Sequence, residues 1–181
     1  EEIPLTKLPY EQFMLAGAIT GRRNQLSWSQ GKDNVDFYDL KGITEVLFSK
    51  LGIVDYIVEA GEHYAMHPGK TAKFTKNNNC LAVIGEVHPE VLEKFGISRK
   101  TYIFDIDLKL LEEASQEICQ YQSLPKYPAS SRDLAITIND EVEAGAVEAT
   151  IIDNGGALLK EVKLFDVYKG EQVSAGQKSL A

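Results

Sequence analysis

The stretch Leu124-Pro125-Lys126-Tyr127-Pro128-Ala129-Ser130-Ser131-Arg132-Asp133-Leu134 constrains this chain more than any other. Its two prolines fix φ locally and push the residues before them toward extended backbone, so a helix ending near Tyr121 cannot run on through it. Leu134-Ala135-Ile136-Thr137-Ile138 follows, apolar and β-branched, and ends at the turn-prone pair Asn139-Asp140, which predicts the first strand of a second unit. Residues 122–131 therefore read as a domain junction. At 181 residues the chain has room for one sizeable core or two modest ones.

Ahead of the junction, residues 12–20 form an apolar run that suits a strand covered on both faces, and the polar loop Gly21-Arg22-Arg23-Asn24 ends it. Trp28 stands alone in a Ser- and Gln-rich segment. From Tyr38 to Leu51 the residues Leu40, Ile43, Val46, Leu47 and Leu51 recur at helical spacing, with Asp39 at the start to cap free amides and Gly52 as the stop. Val54–Ala60 predicts a short strand and Gly61–Lys70 a loop. Thr71–Thr75 and Leu81–Val87 predict a hairpin across Lys76-Asn77-Asn78-Asn79, a tip longer than the two-residue kind. His88-Pro89-Glu90 opens a short helix through Phe95 that Gly96 ends, Tyr102–Ile106 is a strand, and Leu108, Leu111 and Ala114 mark a last helix. The first unit is thus α+β with antiparallel pairing.

Past the junction, strand 132–138 leads to an amphipathic helix over Val142–Asn154 that Gly155-Gly156 ends. Leu158–Tyr168 alternates as a strand, Lys169-Gly170 turns it, and Lys178–Ala181 looks like a strand cut short. The order is β-α-β-β.

The net charge of −8 argues against a general polyanion binder, because nonspecific nucleic-acid affinity comes from many Lys and Arg contacts to phosphates; any such contact is local. No apolar run approaches the roughly 20 residues of a membrane span, and the N-terminus does not read as a signal peptide, so a cytoplasmic setting without membrane partners is expected. Cys80 and Cys119 lie in separate apolar segments and read as buried thiols.

Candidate chemistry is sparse. His67-Pro68-Gly69-Lys70-Thr71 ends like a phosphate-binding loop, but position 64, where that motif needs glycine, is a tyrosine. His63, His67 and His88 have no helix to bring them to one metal, so structural or surface histidines are the expectation. Asp105 and Asp107 share a strand face, a geometry that serves acid-base work or merely marks a strand end and a helix cap. No Gly-x-Ser-x-Gly, His-Glu-x-x-His or Gly-x-Gly-x-x-Gly occurs.

Five stretches in order carry a resemblance: Asp36-Phe37-Tyr38-Asp39-Leu40-Lys41-Gly42, His67-Pro68-Gly69-Lys70, Ile84-Gly85-Glu86-Val87-His88-Pro89, Tyr127 through Ala135, and Leu164-Phe165-Asp166-Val167-Tyr168-Lys169-Gly170 with Lys178-Ser179-Leu180-Ala181. Together they resemble the C-terminal part of the bacterial phenylalanyl-tRNA synthetase beta chain. The resemblance implies that residues 1–121 form a catalytic-like module, a class II synthetase antiparallel sheet fold that does no chemistry itself. Residues 122–181 then form the N-terminal part of a ferredoxin-fold anticodon-binding domain, which reads β-α-β-β-α-β in full. That domain is incomplete here: stopping at Ala181 removes most of a central strand, so stability is expected to reside in the first unit.

The same resemblance implies a fragment that scaffolds the catalytic alpha chain of an alpha2beta2 enzyme and helps bind tRNA(Phe). ATP and magnesium serve the whole enzyme and no cofactor this fragment, which has neither a Gly-x-Gly-x-Gly-x-Glu-Arg nor a Phe-Arg-x-Glu segment to hold ATP. For tRNA the candidates are Tyr168, which would stack on an anticodon base, with Lys169 and Arg132 for phosphates; Arg132 equally suits an ion pair with Asp133 or another carboxylate. Trp28, Phe37 and Tyr38 are candidates for the alpha-chain interface, or for the core. The rival is an independent small α+β enzyme with a nucleotide or small-molecule cleft near His67–Lys70, using Asp105.

Overall fold

A computed structural model describes residues 11–29, 31–116, 121, 126–170 and 173–181. Leu124-Pro125 of the junction and Cys119 lie outside the described residues. The chain divides into two compact units, Glu1–Tyr121 and Gln122–Ala181. No helix among the described residues is long and apolar enough to cross a membrane.

Unit 1 runs β1 (Met14–Thr20), α1 (Phe37–Lys50), β2 (Ile57–Ala60), β3 (Met66–Lys76), β4 (Asn79–Val87), α2 (Pro89–Lys94), β5 (Thr101–Asp107) and α3 (Leu108–Ala114). Its strands form one antiparallel sheet in the order β1-β5-β4-β3-β2. Because alternate strand residues share a face, Ala72, Phe74, Ala82, Ile84, Tyr102 and Ile106 point together, and Leu40 and Phe48 of α1 and Leu111 of α3 close over them as the core.

The start of α1 follows from its acids. Asp36 accepts from the Tyr38 and Asp39 amides while Asp39 accepts from the Asp36 amide, a reciprocal cap, and Arg23 bridges both carboxylates at 2.9 Å. The Arg23 hydrogen bond, with that of the Asp36 amide, holds the Asp39 carboxyl below its ordinary pKa. Gly52 ends the helix at φ +66°, a conformation that favours glycine. The buried stripe is narrower than expected: Leu40, Thr44 and Phe48 are buried, while Ile43 and Val46 are exposed. At about 100° per residue, Val46 points away from the side of Leu40 and Phe48.

Four further expectations are corrected. Strand β1 is not covered on both faces: it pairs only with β5 at the sheet edge, and Met14 and Leu15 are exposed. The β3–β4 tip is a two-residue turn after all, since Lys76 pairs with Asn79 and Asn77 and Asn78 take φ of +51° and +65°. Asparagine tolerates this left-handed backbone, which lets the strands extend to the tip. The loop predicted over Gly61–Lys70 ends early: His67–Lys70 belongs to β3, where the register jumps between Met66 and Thr71 and pushes the segment out as a bulge. Cys80 is exposed beside the tip; partial burial of its sulfur still raises its pKa.

Unit 2 contains β6 (Ile136–Asn139), α4 (Ala144–Gly155), β7 (Val167–Tyr168) and β8 (Gln177–Leu180), with β8 central in a β6-β8-β7 antiparallel sheet. The element order is the expected β-α-β-β, but two strands are shorter. The first starts at Ile136 rather than 132, and the strand predicted over Leu158–Tyr168 shrinks to Val167–Tyr168. A ladder needs a neighbour, and β8 pairs only Val167 and Tyr168, with Ala181 adding backbone bonds to Phe165 and Asp166. Leu180 is the one buried hydrophobic residue among those described in this unit.

Candidate nucleic-acid interface

The Tyr168 corner is built by strand register. Tyr168 lies opposite Ser179 at the end of β7, and Asn139 lies opposite Gln177 at the end of β6, so Lys169 and Asp140 leave the sheet at the same end. The Asp140 amide donates to the Gly176 carbonyl at 2.8 Å, and Lys178 Nζ donates to the Asp140 carbonyl at 2.8 Å, which ties the β6 turn to β8. Lys169 pairs with the Asp140 carboxylate. That hydrogen bond, helped by the charges of Lys169 and Lys178, keeps the Asp140 carboxyl below its ordinary pKa.

Tyr168 is 41% exposed. Its hydroxyl lies 2.4 Å from where a Cβ on Gly170 would sit, so residue 170 accommodates this ring position only as glycine. Arg132 stands apart from this corner. It precedes Ile136, which pairs with Leu180 at the opposite end of the sheet, and its guanidinium donates to the Ser131 carbonyl at 2.8 Å. Neither Asp133 nor another carboxylate pairs with it among the described residues.

In unit 1, Trp28 is 99% exposed and Tyr38 75%. Phe37 is half-buried, packs on the core and meets Tyr38 edge-on with ring centroids 5.6 Å apart. Ile43 and Val46 add exposed apolar surface on α1.

The residues of the rival enzyme reading do not form one constellation. Lys70 grips both oxygens of Glu86 at 3.0 and 2.9 Å, and Thr71 Oγ1 donates to the His67 carbonyl at 2.8 Å. This segment continues as strand, whereas a phosphate-binding loop leads into a helix. Asp105 faces His63 at 4.0 Å, and Asp107 caps α3 through the Lys109 and Leu110 amides. The Asp107 carboxyl lies below its ordinary pKa because the Leu110 amide bonds the charged form. His63 Nδ1 accepts from the Ala65 amide and His88 Nδ1 from the Glu90 amide, while His67 Nδ1 is buried without a partner. No three His, Cys, Asp or Glu residues cluster as a metal requires among the described residues.

Sequence reasoning missed Asp140, whose pairing with Lys169 spans the sheet, and Glu86. A lysine and an acid far apart in sequence carry no sign that strand register will join them.

The family model for the phenylalanyl tRNA synthetase beta chain CLM domain matches residues 1–108, and that for the ferredoxin-fold anticodon binding domain matches residues 125–181. Curated proteins named phenylalanine–tRNA ligase beta subunit are similar throughout. That of Halalkalibacterium halodurans is 42% identical over all of this chain and 22% of its own length. Those of Bacillus subtilis and Lactiplantibacillus plantarum are 40% and 41% identical over 96% of this chain, again 22% of their own length. The chain thus spans about a fifth of the curated relatives it matches. With both units covered in order, the chain belongs to the phenylalanyl-tRNA synthetase beta chain family.

Proposed function

We propose that this chain is part of the beta subunit of a phenylalanine–tRNA ligase, in which unit 1 scaffolds the catalytic alpha chain and unit 2 helps hold tRNA(Phe) during ATP-dependent phenylalanylation. The whole enzyme is a cytoplasmic alpha2beta2 heterotetramer that uses ATP and magnesium. This chain contributes shape and contact surface rather than reactive groups, in keeping with Lys70 being committed to Glu86. The observation that carries the reading is the β-α-β-β sheet with an exposed aromatic and basic corner, in the segment that matches an anticodon-binding family.

Tyr168 stacks on an unpaired anticodon base, and Lys169 trades the Asp140 carboxylate for an RNA phosphate. Replacing Tyr168 with Ala in the complete enzyme is expected to weaken tRNA(Phe) binding by about 1 to 3 kcal/mol, the usual value of one stacked base. Filter binding at moderate salt measures it, and an unchanged affinity ends the stacking assignment.

Trp28 and Tyr38 anchor the alpha-chain contact, because exposed aromatics concentrate at interface centres. Mixed with an alpha chain, this chain is expected to co-elute in gel filtration, and a Trp28→Ser, Tyr38→Ser variant to elute separately. Separate elution of the unaltered chain would remove the scaffold role.

A further inference from the structure

A second basic feature lies in unit 1, where the end of β1 meets the start of β5. A groove of about 340 Å³ is lined by Gly21, Arg22, Asn34, Val35, Arg99 and Lys100. Backbone bonds fix its walls: the Val35 amide donates to the Gly21 carbonyl at 2.9 Å, Arg22 and Asn34 form a bridge, and Thr20 Oγ1 donates to the Lys100 carbonyl at 2.9 Å. Gly21 sits at φ +84°, and the Arg99 guanidinium lies 3.5 Å from where its Cβ would be, so an arginine fork rests beside bare backbone.

None of the ion pairs among the described residues includes Arg22, Arg99 or Lys100. Of the acids nearby, Asp36 and Asp39 are held by Arg23, Glu86 is held by Lys70 with Lys100 adding its charge, and Asp33, beside Asn34, acts on Arg23. In a chain of net charge −8, three cations around one groove, none of them in an ion pair among the described residues, mark a place for a foreign anion.

The lining selects the kind of anion. Two guanidinium forks, an ammonium and the Asn34 amide all donate, which matches phosphate oxygens. Val35 is the only apolar wall, too little to hold a nucleobase or an acyl chain. We infer that this groove docks the sugar-phosphate backbone of an RNA strand, through Arg22, Arg99 and Lys100. It uses none of the unit 2 residues assigned to the anticodon, and it does not depend on that assignment.

The test is fluorescence anisotropy of the 181-residue chain with a short labelled single-stranded RNA unrelated to any tRNA, titrated over a range of salt concentrations. Replacing Arg22, Arg99 and Lys100 together with Gln is expected to cut the slope of log affinity on log salt by about 2, since each phosphate contact on a single strand contributes about 0.7. Affinity at low salt is expected to fall about tenfold or more. If far-UV circular dichroism shows that the triple variant is misfolded, Lys100→Gln alone is expected to lower the slope by about 0.7. A control that replaces Arg132 and Lys169 with Gln separates the two sites, because the groove's share of the slope persists in it. An unchanged slope in the groove variants overturns the inference, as does a chain that binds poly-glutamate through these residues but not RNA. Because the probe is not a tRNA, either result stands whatever Tyr168→Ala does.

Discussion

Phe74→Ala is expected to lower the stability of unit 1 by about 3 to 5 kcal/mol, the range for emptying a buried phenylalanine site. Phe74 is fully buried on β3, between Ala82 of β4 and Val58 of β2. Its ring meets Phe48 of α1 edge-on at 5.3 Å and Tyr56 at 5.5 Å, so one side chain joins helix, sheet and the segment before β2. Its neighbours are held by backbone ladders and a helix, which limits how far they can collapse into the hole. A domain of this size has only about 5 to 15 kcal/mol of stability, so the variant approaches the limit of folding. Urea denaturation followed by far-UV circular dichroism measures the loss. Trp28 fluorescence does not serve, because the indole is 99% exposed in the folded chain and unfolding changes its surroundings little. Phe95→Ala is the control: that ring is 77% exposed, and its loss is expected to cost under about 0.5 kcal/mol. Equal losses for the two variants would show that the core is not where the structure places it.

Lys70→Met is expected to cost about 3 kcal/mol at neutral pH, and much less in acid. Glu86 is only 7% exposed on β4, opposite Tyr102 of β5, and Lys70 bonds both its oxygens. Burial by itself raises the Glu86 pKa, but the hydrogen bond and charge of Lys70, helped by Lys100 and the Tyr102 hydroxyl, bring it below the ordinary carboxylate value. Burial also raises the Tyr102 pKa, with Glu86 adding to it. A carboxylate with a depressed folded pKa contributes stability above its unfolded pKa and loses it as pH falls through the folded one. Removing Lys70 takes away the main opposition to burial and leaves only Lys100 and the Tyr102 hydroxyl, so the folded pKa rises and the variant loses less stability on acidification than the parent does. Removing one partner of a buried pair usually costs about 3 to 5 kcal/mol, and the partial exposure of Lys70 sets the low end. Urea midpoints of both proteins at neutral and mildly acidic pH test this. A gap that stays constant between the two conditions would refute the coupling.

Much of the chain could be read locally because its signals are local. The acidic start of α1 at Asp39, though the capping residue proved to be Asp36 three positions earlier, its stop at Gly52, and the His88-Pro89 start and Gly96 end of α2 each depend on residues within one turn of the boundary. The β-α-β-β order of unit 2 followed from strand and helix periodicity in the same way. Strand limits did not. Residues 132–135 and 158–166 have strand-like composition, but a strand exists only where a neighbour supplies the ladder. Exposure was equally illegible at β1, whose apolar run suits a covered strand yet sits at an edge. Of the candidate site residues, Tyr168 and Lys169 share a corner, Arg132 does not, and Phe37 leans on the core while Trp28 and Tyr38 face outward.

By itself the sequence determined which segments are helix or turn, that two units follow one another, and which family the motifs resemble, since each depends on residues close together in the chain. Tertiary structure alone decided which charges meet. Lys70 with Glu86, Lys169 with Asp140, and the grouping of Arg22, Arg99 and Lys100 around one groove are products of strand register, which brings distant residues within a few ångströms and is not written at any single position.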